Sequence, residues 1–152
     1  MDDTRGVLDS LSFRLGLVGA QVTLAFAGRV EEVGVGHKHV GTLSVIAARG
    51  TCSQREIADS LGVAPSLVVG LIDRLIEMEA VTRTRDGDDR RVHQVALTET
   101  GRAVLEECVQ RVHALDAGLL SLIGGAAHES LAAGIAAFVG DDGMPTRIRN
   151  EL

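Results

Sequence analysis

Apolar residues recur three and four apart along residues 7–33, at Leu8, Leu11, Leu15, Val18, Val22, Phe26, Val30 and Val33. That is the period of a helix. A second stripe, Phe13, Leu17, Ala20, Leu24 and Ala27, runs beside the first, so one long helix is expected here, greasy on more than one face. Gly34 and Gly36 punctuate its end. The same period predicts a second helix over residues 39–49, with Val40, Leu43, Ile46 and Ala47 inward and Gly50 as its stop. Ser53-Gln54-Arg55-Glu56 then has the form of a capping box, the serine bonding the backbone and the glutamate reaching back. Cys52 before the cap and Ile57 at the fourth helical position have the spacing of a hydrophobic staple. This short helix carries Ile57, Ala58 and Leu61 and ends at Gly62. Pro65 suits the first turn of the next helix, where a missing N–H is harmless. There Leu67, Leu71 and Leu75, with Val68, Ile72 and Ile76, are expected inward, leaving Ser66, Val69, Gly70, Asp73, Arg74 and Glu77 outside.

Past Ala80 the period changes. Residues 81–85 and 91–97 read as two short strands, and Asp86-Gly87-Asp88-Asp89-Arg90 between them has the composition of a hairpin tip. Thr98 is placed to cap a second long helix reaching about Ile123, striped by Val104, Cys108, Val112, Leu115, Leu119 and Leu122. Gly124-Gly125 break it, and an Ala-rich helix is expected over residues 126–139, followed by a frayed tail. No internal repeat is evident. The expected fold class is mainly α (α+β), in a single domain over residues 1–152.

Two short helices joined by Gly62-Val63-Ala64, with a hairpin directly after them, make a winged helix-turn-helix. Its second helix, sealed from behind by leucines, can lay its free face in a DNA major groove while the hairpin reaches the adjacent minor groove. The helix-turn-helix is expected at about residues 53–79 and the wing at about 81–97. In this context Ser53-Gln54-Arg55-Glu56-Ile57-Ala58, Leu61-Gly62-Val63, Leu71-Ile72-Asp73-Arg74-Leu75 and Asp86-Gly87-Asp88-Asp89-Arg90-Arg91, running into Val95-Ala96-Leu97-Thr98-Glu99-Thr100-Gly101, carry a resemblance. The chain resembles the multiple-antibiotic-resistance regulator (MarR) family of bacterial transcription factors. The resemblance implies a homodimer clasped through long N- and C-terminal helices, at about residues 7–33 and 98–139. It also implies a repressor that binds a pseudo-palindromic double-stranded operator and is released by a small aromatic or anionic effector, with no cofactor.

Carried over residue by residue, the resemblance places Arg91 in the minor groove with Asp89 steadying it. Arg90, Arg83 and Arg85 become phosphate candidates. Ser53 and Gln54 stand at a helix N-terminus suited to phosphate, although the cap alone accounts for Ser53. Pro65, Ser66, Val69 and Gly70 hold base-facing positions and Arg74 a backbone-facing one. Gly70 departs from relatives that carry arginine, which leaves less direct base readout and more weight on shape. For an effector cleft, Phe13, Phe26, His39 and Leu43 are the candidates, core packing being the competing role for the phenylalanines and the leucine.

Composition tempers this picture without overturning it. The chain has 152 residues, 45% of them hydrophobic and 24% charged, with net charge −6. Mean hydropathy is +0.20, more than one small subunit readily covers. Residues 49–94 hold seven arginines against eight acids, so no broad basic patch exists and any grip on phosphate rests on a few arginines. Aromatic residues are 2%, against a single-strand binder built on stacking platforms. Two cysteines make no disulfide framework. The first residues lack the pattern of a secretory signal, and the most apolar stretch, residues 15–28, reads as too short to span a bilayer, so a cytoplasmic protein without a membrane partner is expected. No nucleophile motif, phosphate loop or carboxylate pair suggests an enzyme.

Two sensing chemistries stay open at this point. Cys52 and Cys108 are the only thiols, and both sit in apolar patterns. His37 and His39, with Glu31, Glu32, Glu107, Cys108 and His113, form a thinkable metal-ligand pool, or the histidines are ordinary polar residues at a helix start. Gly70 and the near-neutral centre also admit an alternative: a dimeric protein of the same fold that binds a ligand or metal and grips DNA weakly.

Overall fold

The computed structural model describes residues 4–85, 87 and 93–140, with side chains from residue 6 onward. The expected single helix over residues 7–33 is two, α1 (Thr4–Asp9) and α2 (Leu11–Glu31). Ser10 makes the break. Its backbone is extended, its hydroxyl accepts the Phe13 N–H at 3.3 Å and donates to the Val7 carbonyl at 2.8 Å. Arg14 seals the joint, its Nε donating to the Leu8 carbonyl at 3.0 Å and its guanidinium pairing with Asp9. A serine that bonds nearby backbone offers the chain an alternative to helix. The 21 residues of α2 therefore run about 31 Å instead of the roughly 40 Å of an unbroken rod.

Helix α3 (His37–Arg49) begins two residues before its expected start, because Gly36 serves as the cap and donates its N–H to His39 Nδ1 at 3.0 Å. Gly50 ends it at φ +80°. Next comes β1 (Thr51–Ser53), a strand the hydrophobic pattern did not reveal. Cys52 is thus a strand residue paired with Val95, and it shares the core with Ile57. Helix α4 (Gln54–Leu61) opens on the expected capping box, and Gly62 closes it in the left-handed conformation. Helix α5 (Pro65–Glu77) starts on its proline. Strands β2 (Val81–Arg85) and β3 (His93–Leu97) pair antiparallel, with Val81 opposite Leu97 and Arg85 opposite His93, in a sheet ordered β1-β3-β2. The long α6 (Glu99–Ile123) and the shorter α7 (Gly125–Ala136) complete the chain.

The core gathers Val30, Leu43, Ile46, Ile57, Val68, Ile72, Leu75, Val81, Val95 and Cys108, all essentially sealed from solvent. The inward face of α5 is narrower than expected: Val68, Leu71, Ile72 and Leu75 are buried, whereas Leu67 and Ile76 are exposed. A stripe at i, i+3, i+4 and i+7 spans the contact surface of so short a helix, and its flanks face out.

A tight junction joins α6 to the end of α5. Thr98 caps α6, donates its hydroxyl to the Glu79 carbonyl at 2.6 Å, and its N–H bonds the Ala80 carbonyl at 3.1 Å. Gly101 follows because nothing larger fits: a β-carbon there would lie 1.9 Å from the Ala80 oxygen. These contacts explain the Leu97-Thr98-x-x-Gly101 run physically.

Beyond the centre, apolar surface is left open. Val30 is the only buried residue of α2, and α7 has none. Leu17, Val18 and Leu24 on α2, Leu122 on α6, and Leu131, Ile135 and Phe138 toward the end are all exposed, Leu24 at 66% and Leu122 at 80%. With mean hydropathy 1.3 over an 18-residue window of its 21 residues, α2 is long and apolar enough to cross a membrane by length and composition. That corrects the expectation that the segment is too short.

Candidate nucleic-acid interface

Helix α5 is two-sided. Its inner residues are locked into the core, while Pro65, Ser66, Val69, Gly70, Asp73, Arg74 and Glu77 face solvent as expected. The N-terminal turns of α4 and α5 frame an open concavity of about 540 Å³ lined by Gln54, Arg55, Asp59, Pro65, Ser66 and Val69. Four of the expected site residues therefore meet on one surface. Arg55 joins them and was missed, because within the capping box it reads as filler; an exposed arginine one residue past Gln54 was the available signal. A free helix face beside a second helix N-terminus can meet base edges and phosphate together.

The charged candidates divide by what already holds them. The Ser53 hydroxyl accepts the Glu56 N–H at 3.3 Å and donates to Glu56 Oε2 at 2.8 Å. The Ser53 N–H, which donates to Glu56 Oε2 at 2.7 Å, then the Ser53 hydroxyl and then the Arg49 charge hold the Glu56 carboxyl below its ordinary pKa. Arg74 pairs with Glu77 on its own helix at 3.2 Å. Arg83 is half-buried and spans two elements, its Nη2 donating to Asp73 Oδ1 at 2.7 Å. Arg85 is exposed at the end of β2. Asp89, Arg90 and Arg91 lie outside the described residues.

The effector candidates are not brought together. Phe13 and Phe26 are thirteen positions apart on α2, about 20 Å along its axis. Phe26 meets the His37 ring edge-to-face at 4.8 Å, and Leu43 is fully buried in the core. His39 is partly buried, and burial, then the Arg74 charge, lowers its pKa, so the imidazole is neutral near pH 7 with Nδ1 accepting from Gly36. A cleft of about 410 Å³ opens elsewhere, between α3, β3 and α6, walled by Ile46, Leu97, Leu105 and Val109 with Arg102 and Glu106 at its rim.

The other chemistries find little support. Among the described residues no group of three or more His, Cys, Asp or Glu is placed to hold a metal ion. Glu32 and Glu107 of the expected pool both pair with Arg111, which clamps α2 to α6. Both thiols are buried. Burial, then the Glu56 charge, pushes Cys52 from the ordinary 9.0 to about 11, and burial likewise raises Cys108. Neither is a reactive thiolate at neutral pH.

The comparisons with known proteins bear on the same geometry. Residues 38–93, from the start of α3 to the start of β3, match the profile of the MarR family. The transcriptional repressor MdtR of Bacillus subtilis is 32% identical over 94 residues, 62% of this chain and 61% of that protein. The match thus spans less than two thirds of that curated relative's length. The repressor CouR, solved on a 23-mer DNA duplex, superposes with a TM-score of 0.80 at 27% identity, covering 90% of this chain and 95% of that one. CouR from Rhodococcus jostii RHA1 bound to p-coumaroyl-CoA superposes at 0.74, also 27% identical, over 94% and 98% of the two chains. A MarR-family regulator from Rhodococcus sp. RHA1 gives 0.76 at 28% identity, over 85% and 94%. With its helix-turn-helix, wing strands and long flanking helices arranged as in these proteins, the chain resembles the MarR-family regulators in fold and, over residues 38–93, in sequence.

Proposed function

We propose that the chain is a homodimeric DNA-binding transcriptional regulator, a repressor that holds a pseudo-palindromic operator and releases it when a small aromatic or anionic effector binds. The observation that carries this reading is the two-sided α5, with Val68, Leu71, Ile72 and Leu75 anchored behind and Ser66, Val69 and Gly70 free in front. Such a helix is rigid enough to enter a groove and open enough to read it. A relative solved on duplex DNA supports the partner. The apolar faces of α2, α6 and α7 support a second copy, because a dimer covers surface that one chain leaves wet. Pairing also gives the apolar α2 an occupant other than lipid, in keeping with a cytoplasmic protein. For the effector, the cleft between α3, β3 and α6 combines apolar walls with Arg102 and Glu106 at its rim, a composition that suits a small, largely apolar organic molecule with a polar group for Arg102.

The test is binding of the full chain to a duplex selected from a random-sequence pool. Half-sites about one helical turn, roughly 10 base pairs, apart are expected. Arg91→Ala weakens binding far more than Arg147→Ala, as an arginine held in a narrow groove requires. Equal effects contradict the wing assignment. A folded dimer that retards no duplex at low salt favours the alternative, a ligand-binding protein of the same fold.

A further inference from the structure

The Arg83–Asp73 pair is unlike the other ion pairs of the helix-turn-helix. Arg74–Glu77 joins neighbours on one helix, whereas Arg83–Asp73 joins β2 to the reading helix α5, ten positions apart in sequence. Strand alternation puts Arg83 on the same side of β2 as the buried Val81, so its side chain is directed at α5 and not at solvent. Its Nε is buried and, among the described residues, has no hydrogen-bond partner, while Nη2 is 2.7 Å from the carboxylate. A guanidinium oriented in this way is already committed to the carboxylate. Asp73 in turn stands on the stripe that carries Ser66, Val69 and Gly70, where a bare carboxylate faces phosphate.

Resting on the reading of the chain as a duplex-DNA binder, we propose that Arg83 and Asp73 form a brace that sets the wing at a fixed reach from α5. Arg83 is then a positioning residue for sequence-specific binding and not a phosphate ligand. The brace also offsets the charge of Asp73, the acid of α5 nearest its base-facing residues. Asp73 is exposed and Arg83 half-buried, and an ion pair so open to water adds little to folding stability, so breaking it leaves the protein folded.

The experiment uses the full chain, the duplex selected by the wild type, and a random-sequence duplex of equal length, with anisotropy read at several salt concentrations. Asp73→Asn and Arg83→Gln are each expected to lower affinity for the selected duplex about tenfold, the size of coupling expected for a contact pair. Affinity of Asp73→Asn for the random duplex stays level or rises, since an acid has been removed. The exchange Asp73→Arg with Arg83→Asp recovers most of the lost preference, and thermal midpoints move little. If Asp73→Asn tightens both duplexes equally while Arg83→Gln weakens both, Arg83 is a phosphate ligand and the brace is wrong. A wild type that binds neither duplex overturns the DNA reading itself, an outcome distinct from failure of the brace.

Discussion

The central winged helix and the terminal rods draw on the same residue types, leucine, valine and alanine, yet they solve burial differently. In the centre the apolar residues close on one another: Ile57, Ile72, Leu75 and Val95 are sealed within a single chain. On α2 and α7 the same residue types stand in water, Val30 at the end of α2 excepted. Helical periodicity tells which residues share a face, but it does not tell which body covers that face. The centre is a structure that one chain completes, whereas the rods carry apolar faces that one chain leaves open.

That difference is broken most sharply by placing a charge in each region. Leu75→Asp puts an unpaired carboxylate in the core and should abolish cooperative unfolding, as circular dichroism in a urea titration would show. Leu17→Glu with Leu24→Glu on α2 should leave the centre folded and lower the mass seen in sedimentation; a folded dimer after that double change contradicts the assignment of α2 to the interface.

Gly101→Ala comes next, because its methyl would meet the Ala80 carbonyl at 1.9 Å. The junction must open, at a cost of about 1–3 kcal/mol in denaturant unfolding. Cys52 gives a smaller, pH-dependent effect. Its folded pKa is raised from 9.0 to about 11, so the stability it contributes is complete below pH 9 and declines as pH rises toward 11. A thiol reagent at pH 8 should label it only through unfolding; rapid labelling of the native protein contradicts its burial. The smallest effect is a gain. Glu79 holds φ +56° at the end of α5, so Glu79→Gly should stabilise by roughly 0.5–1 kcal/mol in the same titration.

Much of the centre was legible because its signals are local. The capping box at Ser53, the left-handed Gly62, Pro65 at the head of α5 and the Thr98 cap each act within a few residues, and each appears where its chemistry placed it. The features that escaped depend on distant partners. Strand β1 is three residues long, too short to show alternation, and exists because Val95 lies opposite Cys52. The break at Ser10 hid beneath an apolar period that runs across it. Leu67 and Ile76 share the stripe of α5 but sit beyond the width its neighbours cover. Of the candidate site, Gln54, Pro65, Ser66 and Val69 were named from the resemblance, whereas the concavity that they line, with Arg55 and Asp59, was not foreseen. Arg83 was foreseen as a cation but not its tie to Asp73, which arises from β2 packing on α5.

The central claim is that two copies clasp through the rods and hold two reading heads to one duplex. Sedimentation equilibrium of the full chain, free and with the selected duplex, tests it directly. The account predicts twice the 16.0 kDa chain mass in the free protein and two chains per duplex in the complex. A stable single chain at micromolar concentration, or one chain per duplex at saturation, would contradict it.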